Sequence, residues 1–397
     1  MILSKRKFHV QIALVGGQPT PVYQGIIHLH PNQVVLVCSE NSRKVADDIR
    51  RQLPFYDDKD ILIYEISDIN LEAMYQTAEL IEQAMPKGIT LSLNLSGGMK
   101  LWSIIFNNVF RRKRRSCHSF FIGQNGTFFD LKNKTSGTKV DFDMDAQFKI
   151  LGHKLDSYTL LSDYNSADFS VLNVIQQWGF SPKYHFMLKE LTECFVESYK
   201  KKYGNNLYKN PESVDTKFGH LDWDPATKTF ECVLGTKSLK FTSPHVEHIV
   251  LNTGWFELYV AKMIAKANPN YEVRLNCVFK TKKNTTKNEV DIIVNTGNKL
   301  IFVECKTQIK NTTDVDKFRS VVRNYGGLGS KHLFVTNWEM KPDAKEKCED
   351  FDIATFHFEY APDKGTEQKP PLYDNVQEKS EALSKVVDEL NRKWNYK

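Results

Sequence analysis

No run of apolar residues in this 397-residue chain approaches the length of a membrane span. The longest, such as Val34–Cys38, holds five residues, against the roughly 20 that a bilayer-crossing helix needs. No membrane partner is expected. The basic start, Met1-Ile-Leu-Ser-Lys-Arg-Lys7, is not followed by the apolar segment of a secretory leader. The seven cysteines are odd in number and include no C-x-x-C pair, which speaks against a disulfide framework and against a structural zinc site. A cytoplasmic protein is expected. No G-x-G-x-x-G follows the first strand and no G-x-x-x-x-G-K occurs, so the usual dinucleotide and P-loop signatures are absent. Strong charge of one sign is also missing. The net charge of +6, from 54 Lys and Arg against 48 Asp and Glu, permits a polyanionic partner without demanding one.

What is present is globular composition, 41% hydrophobic and 26% charged, in a chain long enough for two or three domains. Over residues 1–150, strand-like runs (9–15, 33–39, 61–66, 89–95, 118–123) alternate with helical spacing (43–53, 70–84, 99–112). Leu71, Met74, Ala78, Ile81 and Met85 recur at intervals of three and four. The strands are rich in Val, Ile and Leu without strict alternation. That pattern predicts a Rossmann-like parallel sheet buried on both faces, whose ligands sit beyond the carboxyl ends of the strands. His28 and His30 alternate within an extended connection and are not read as metal ligands. Residues 151–183 read as a polar linker with short helices. The second domain spans 184–397 with its core at about 244–340: helix 245–268, strands 271–280, 289–295, 300–306 and 331–336, and helix 313–325. Residues 361–371 read as loop or tail, followed by a last helix over 376–394. The fold class is α/β throughout. Two basic blocks stand out. Arg111–Arg115 is either a solvated helix end or a phosphate-facing patch. Lys280, Lys282, Lys283 and Lys287 either contact a nucleic-acid backbone or form a solvated turn.

The chemistry concentrates in Asn288-Glu-Val-Asp-Ile-Ile-Val294 and Leu300-Ile-Phe-Val-Glu-Cys-Lys306, two β-runs joined as a hairpin. Side chains two apart on a strand share a face, so Glu304 and Lys306 project together while Cys305 points away. The hairpin brings Asp291 beside them. Carboxylates gathered in this way are costly unless a cation or substrate lies between them. Asp291, Glu304 and the backbone carbonyl of Cys305 are hard oxygen ligands suited to Mg²⁺ or Mn²⁺. Glu257, on the preceding helix, can approach the same metal from the side. Glu289 shares the side of Asp291 without being expected as a ligand. Lys306 would orient or deprotonate a water, or stabilise the transition state. The plain alternative is a surface hairpin carrying a Glu304–Lys306 salt bridge.

This pattern resembles the PD-(D/E)xK nuclease superfamily, on Asp291, Glu304-Cys305-Lys306 and the helical Glu257. The resemblance covers roughly 244–340. It implies a restriction-endonuclease-like α/β domain and metal-dependent cleavage of phosphodiester bonds in DNA, RNA or both.

Three loops stand where strands one, two and four end: Gly16-Gly17-Gln18-Pro19-Thr20-Pro21, Ser39-Glu-Asn41-Ser42 and Asn94-Leu-Ser96-Gly97-Gly98-Met99-Lys100. Gly16 and Gly17 allow close approach of a ligand to the backbone. Ser96-Gly97-Gly98 at a helix start exposes N–H groups to anionic oxygens, and Lys100 adds a positive charge. Together they suit phosphate and ribose groups. The first and third loops resemble those of the CARF domain, a Rossmann-fold sensor of cyclic oligoadenylates in type III CRISPR antiviral defence. Fused to a PD-(D/E)xK domain, the whole chain is similar to the CRISPR ancillary nucleases. The resemblance implies a homodimer that binds cyclic tetra-adenylate, or cyclic hexa-adenylate, as an allosteric activator. Its contacts would come from the loops around Gln18, Thr20, Ser39, Asn94, Ser96 and Lys100. Two other readings stand beside it: a ligand-responsive nucleic-acid-binding regulator without cleavage, and a constitutive restriction or repair endonuclease that leaves the N-terminal loops unexplained. Residues 205–243 read as short strands and turns, with breaks at Gly219, Asp222–Pro225 and Gly235, and carry no family resemblance.

Overall fold

Strands that lack polar alternation must bury both faces. In the computed structural model the three central N-terminal ones do. It describes residues 7–66, 70–113, 116–123, 126–140, 143–204, 208–251, 254–280, 288–297, 299–307, 309, 311–327, 329–359 and 375–392. Strands β1 (His9–Leu14), β2 (Gln33–Cys38), β3 (Ile61–Glu65), β4 (Thr90–Asn94), β5 (His118–Ile122), β6 (Thr127–Asp130) and β7 (Thr135–Lys139) form one sheet, ordered β3-β2-β1-β4-β5-β6-β7. The first five are parallel. An antiparallel extension, β6 and β7, which the sequence pattern does not announce, completes the edge. Helices α1 (Thr20–Leu29) and α2 (Arg43–Arg51) cover one face, where Ala13 and Val15 pack with Val22, Ile26, Ala46 and Ile49. Helices α3 (Leu71–Ala84) and α4 (Lys100–Lys113) cover the other, where Ile12 and Leu14 meet Met74, Ala78, Trp102 and Phe106.

Helix α1 occupies the segment read as extended. Pro21 sits in its first turn, where no backbone N–H is required. Gly25 lets the helix lie against β4, since a Cβ there would stand 2.4 Å from the Asn94 Nδ2. Two prolines and a glycine within ten residues hide this helix from a periodicity reading.

Helix α5 (Met144–Ile150) belongs to two cores at once. Its Ile150 packs with Ala13, Val22 and Ile26. Its Met144 and Phe148 join Cys277, Phe279 and Phe302 of the second sheet, and the Phe148 ring meets Phe279 edge-on at 4.9 Å.

Residues 151–183, read as linker, carry β8 (Leu155–Leu160) and α6 (Ser166–Gly179), both built into the second unit. Helix α7 (Pro182–Tyr203) leads into an antiparallel meander over the stretch without a sequence match: β9 (Glu212–Thr216), β10 (Gly219–Asp224), β11 (Thr229–Leu234) and β12 (Lys237–Thr242). The helix expected over 245–268 is two, α8 (Val246–Val250) and α9 (Gly254–Ala267). Gly254 allows the close return between them: a Cβ there would lie 1.6 Å from the His248 carbonyl oxygen.

Then follow β13 (Glu272–Phe279), β14 (Asn288–Asn295), β15 (Leu300–Lys306), α10 (Thr313–Tyr325), β16 (Lys331–Trp338), α11 (Pro342–Asp350), β17 (Ala354–Glu359) and α12 (Val376–Arg392). The sheet is mixed, ordered β17-β16-β15-β14-β13-β8. One face packs on α6, α7, α9 and α12, the other on α5, α10 and α11. Trp255, Phe256 and Tyr259 are buried in the first of these cores. The stretch 361–371 lies outside the described residues. Among the described residues, no helix is long and apolar enough to cross a membrane.

Candidate active site and activator loops

Strands β14 and β15 pair from Asn295↔Leu300 to Ile292↔Val303. One step further the side chain of Asp291 takes over from the backbone ladder, its Oδ2 accepting the Cys305 N–H at 2.7 Å. Lys306 Nζ lies 2.7 Å from the Glu304 Oε1, so the ion pair of the plain hairpin reading does form. More than that hairpin is present, however. Helix α9 carries Glu257 in its first turn, close enough for Asp291, Glu289 and Glu304 to act on its charge.

The neighbouring strand breaks its pleat at this point. Asn276 in β13 has φ 51°, a left-handed conformation that Asn tolerates better than most residues. Register runs through Leu275↔Ile292 and resumes at Cys277↔Val290, with no paired step between Asn276 and Asp291. Alternation would place Leu275 and Cys277 on one face. Instead Leu275 packs in the core with α9, and Cys277 in the core with α5 and α10. Asp291 thus stands where the strand pair turns over.

Burial, and after it the Asp291 carboxylate, pushes Glu257 well above the ordinary carboxylate range. Asp291 is pushed up to about 8 by burial and by Glu304, against the pull of Lys306 and of the Cys305 N–H. Burial alone would lower Lys306, yet Glu304 and Asp291 hold its ammonium above the usual lysine value. The Cys305 thiol is raised far above its ordinary value by burial and by the Asp291 and Glu257 charges. It stays protonated, which leaves the backbone carbonyl as that residue's hard donor. Glu289 is exposed and adds to the repulsion felt by Glu257 and Asp291.

Among the described residues, no group of three or more His, Cys, Asp or Glu side chains is already arranged to hold a metal ion. As they stand, Asp291 is occupied by the Cys305 N–H and Glu304 by Lys306. The donor chemistry is nevertheless that of a hard cation: carboxylates in excess over cations, in surroundings that raise the energy of their charged forms.

Sequence reasoning missed Tyr164. It comes from the stretch read as linker, is buried, and shares a side-chain hydrogen bond with Asn276; burial and then Glu257 raise its pKa. The polar Asn276 inside an apolar strand was the available signal. The two histidines at 245 and 248 stay outside the candidate site, and His245 Nδ1 lies 3.1 Å from the buried Asp168.

The N-terminal loops meet backbone to backbone. A Cβ on Gly16 would stand 2.9 Å from the Gly98 nitrogen, and one on Gly97 would stand 2.3 Å from the Leu14 carbonyl oxygen. Asn94 is fully buried. Its Nδ2 donates to the Pro21 carbonyl at 3.2 Å and its Oδ1 accepts the Ser96 N–H at 2.9 Å. Ser96 Oγ accepts the Ile122 N–H at 2.7 Å. Ser39 is buried against Ser42, whose hydroxyl donates to the Val15 carbonyl at 3.0 Å. These three polar residues hold the loops in place. Gly17, Asn41, Met99 and Lys100 are exposed, Gln18 and Thr20 half-buried, and Pro19 buried.

Gly17, Gln18, Pro19 and Thr20 line a cavity of about 450 Å³ whose other walls include Gln147 of α5, Arg323 of α10 and Ser330. Neither Ser39 and Asn41 nor the 94–100 loop reaches it. Of the basic blocks, Arg112 and Lys113 end α4 and pair with Glu79 at 3.4 and 3.3 Å, while Lys280 pairs with Asp156 at 2.7 Å. Arg114, Arg115, Lys282, Lys283 and Lys287 lie outside the described residues.

No curated protein matches the chain. A family model described as a domain of unknown function, DUF4143, matches residues 253–351, which hold Glu257, Asp291, Glu304 and Lys306. Among solved structures, Can2 from Sulfobacillus thermosulfidooxidans, in complex with cyclic tetra-adenylate, aligns with TM-score 0.67 at 16% identity, over 96% of this chain and 99% of that one. Protein VC1899 from Vibrio cholerae aligns with TM-score 0.69 at 14% identity, over 97% of both chains. A type III CRISPR defence DNA nuclease activated by cyclic oligoadenylate aligns with TM-score 0.53 at 15% identity. This chain covers 94% of its own length there but only 51% of that nuclease. At such identities the likeness is one of fold: over nearly its whole length, the chain has the α/β architecture of Can2 and VC1899.

Proposed function

We propose that this protein is a cyclic-oligoadenylate-activated, metal-dependent endonuclease of type III CRISPR defence, cutting phosphodiester bonds in DNA, RNA or both with little sequence preference. The observation that carries the reading is the meeting of Glu257, Asp291 and Glu304 with one lysine where β14 begins and β15 ends. A structural salt bridge needs one carboxylate for Lys306. Here several act on each other, at a cost that a divalent cation would offset.

Asp291 and Glu304, with the Cys305 carbonyl, would hold Mg²⁺ or Mn²⁺, and Glu257 would support it from α9. The cation would supply Lewis acidity and lower the pKa of a bound water. Glu304 and Asp291 hold Lys306 as an ammonium in the metal-free protein, and beside the cation it would orient or deprotonate the water or stabilise negative charge on the attacked phosphate.

The loops at the carboxyl ends of β1, β2 and β4 suit an anionic, ring-shaped activator. Gly17, Asn41, Met99 and Lys100 offer the exposed contacts, with the half-buried Gln18 and Thr20 beside them. Cyclic tetra-adenylate is the first candidate, on the likeness to Can2, and cyclic hexa-adenylate the second. A two-fold activator calls for a homodimer. Leu71 and Tyr75 on α3, with Leu101 and Ile104 on α4, leave apolar surface that a second copy would cover; Leu71 is 53% and Ile104 58% exposed.

The test incubates the full chain with Mn²⁺ and labelled single- and double-stranded DNA and RNA, with and without each cyclic oligoadenylate. Cleavage that needs both metal and activator is the expected result. Metal-dependent cutting with no response to either activator would leave a constitutive nuclease. Activator binding without cutting of any substrate would leave a receptor.

A further inference from the structure

Helix α5 is the one described helix whose buried side chains divide between the N-terminal core and the core behind the catalytic strands. Side-chain bonds fasten it on both sides. The Thr20 hydroxyl, at the start of α1 just after the β1 loop, donates to the Gln147 Oε1. Two residues earlier on α5, Asp145 grips Arg274 of β13 with both carboxylate oxygens, at 2.7 and 3.1 Å. Arg274 is itself buried, bonded to Glu272 at 2.7 Å and stacked on the Tyr158 ring at 4.2 Å. A buried guanidinium held in this way has one position, and Asp145 of α5 supplies the two-pronged contact that helps set it. Arg274 lies two residues before Asn276, at the interruption in pairing that faces Asp291.

We propose that α5 is the lever that couples the activator loop to the catalytic strands, with Arg274 as a positioning residue for Asp291. The inference rests on the reading of residues 16–21 as an activator loop. A ligand that draws on Thr20 shifts Gln147, a seven-residue helix of about 10 Å moves as a rigid body, and Asp145 carries Arg274 with it. The step most free to respond in β13 is Asn276, because it lacks a paired partner across to Asp291.

The test uses the full chain with Asp145→Asn, Asp145→Glu and Gln147→Ala. The first readout needs no activity. Amide hydrogen exchange at 275–279 and at Cys305, whose N–H is held by Asp291, should quicken about tenfold in Asp145→Asn and in Gln147→Ala, and recover in part in Asp145→Glu. The second is cleavage at saturating cyclic tetra-adenylate. It should fall about tenfold in Asp145→Asn, with activator affinity within about twofold of wild type. Wild-type exchange at these amides in both Asp145→Asn and Gln147→Ala overturns the lever, whatever the enzyme cuts. So does full activation of Asp145→Asn. If the wild-type protein proves not to respond to cyclic oligoadenylates, the functional reading fails, and the exchange experiment still decides whether α5 is linked to β13.

Discussion

The two candidate sites of this molecule are built on opposite principles. At the ends of β14 and β15, carboxylates crowd together and raise one another, with Asp291 held at about 8 and Glu257 higher than any ordinary carboxylate. Around the N-terminal loops, by contrast, the polar side chains are satisfied internally. Asn94 and Ser96 spend hydrogen bonds on Pro21 and Ile122, and Ser39 spends its own on Ser42 of the same loop. One region stores unfavourable electrostatics, of the kind that gathers at functional sites. The other is a rigid backbone frame, and only the residues it leaves exposed are free to recognise anything.

This contrast can be broken most sharply at the crowded site. Glu304→Ala or Lys306→Ala should reduce cleavage by about a thousandfold while calorimetry shows unchanged activator binding. Retained cutting by either protein would remove the catalytic assignment. Next in size is the assembly on which a symmetric activator depends. If the proposed dimer forms through this face, Ile104→Glu should sediment as a monomer where wild type sediments as a dimer, and an unchanged dimer would place the interface elsewhere.

Within the N-terminal frame, Lys100→Ala should weaken cyclic tetra-adenylate binding by about tenfold, with melting unchanged. Ser96→Ala should do the reverse, losing about 1 kcal/mol of stability by stripping the Ile122 N–H of its acceptor, with a smaller change in affinity. If Ser96→Ala lowers affinity more than Lys100→Ala, the division between frame and contact is wrong.

Asp291 supplies a subtler test through pH. Its folded-state pKa lies above its unfolded value, so the stability it contributes is present at low pH and is lost as pH rises through about 8. Metal-free protein should therefore melt higher in Asp291→Asn than in wild type at pH 8, by roughly 5 °C, with the gap closing towards pH 4. Added Mn²⁺ should stabilise wild type and leave Asp291→Asn unmoved. Equal melting of the two metal-free proteins at pH 8 would remove the electrostatic account.

Much of the architecture was legible from local pattern. The five parallel strands follow from short runs rich in aliphatic and aromatic residues, and α10 falls at Thr313–Tyr325 as its spacing predicts. The Glu304–Lys306 pair was legible too, because strand alternation is a local rule. What failed to show had a tertiary cause in each case. Helix α1 was masked by two prolines and by Gly25, which is there for contact with β4. Strand β8 and Tyr164 looked like linker because β8 is an edge strand, and the residue that explains Tyr164, Asn276, lies 112 positions away.

By itself, the sequence determined which side chains could do chemistry and which faces had to be buried. Both follow from residue type and from periods of two and 3.6. It could not determine that Asn276 would turn left-handed opposite Asp291, that Asn94 and Ser96 would be consumed in holding loops together, or that α5 would belong to two cores. Those outcomes depend on packing between segments far apart in the chain, where steric room and unsatisfied hydrogen bonds are settled only after the sheets have formed.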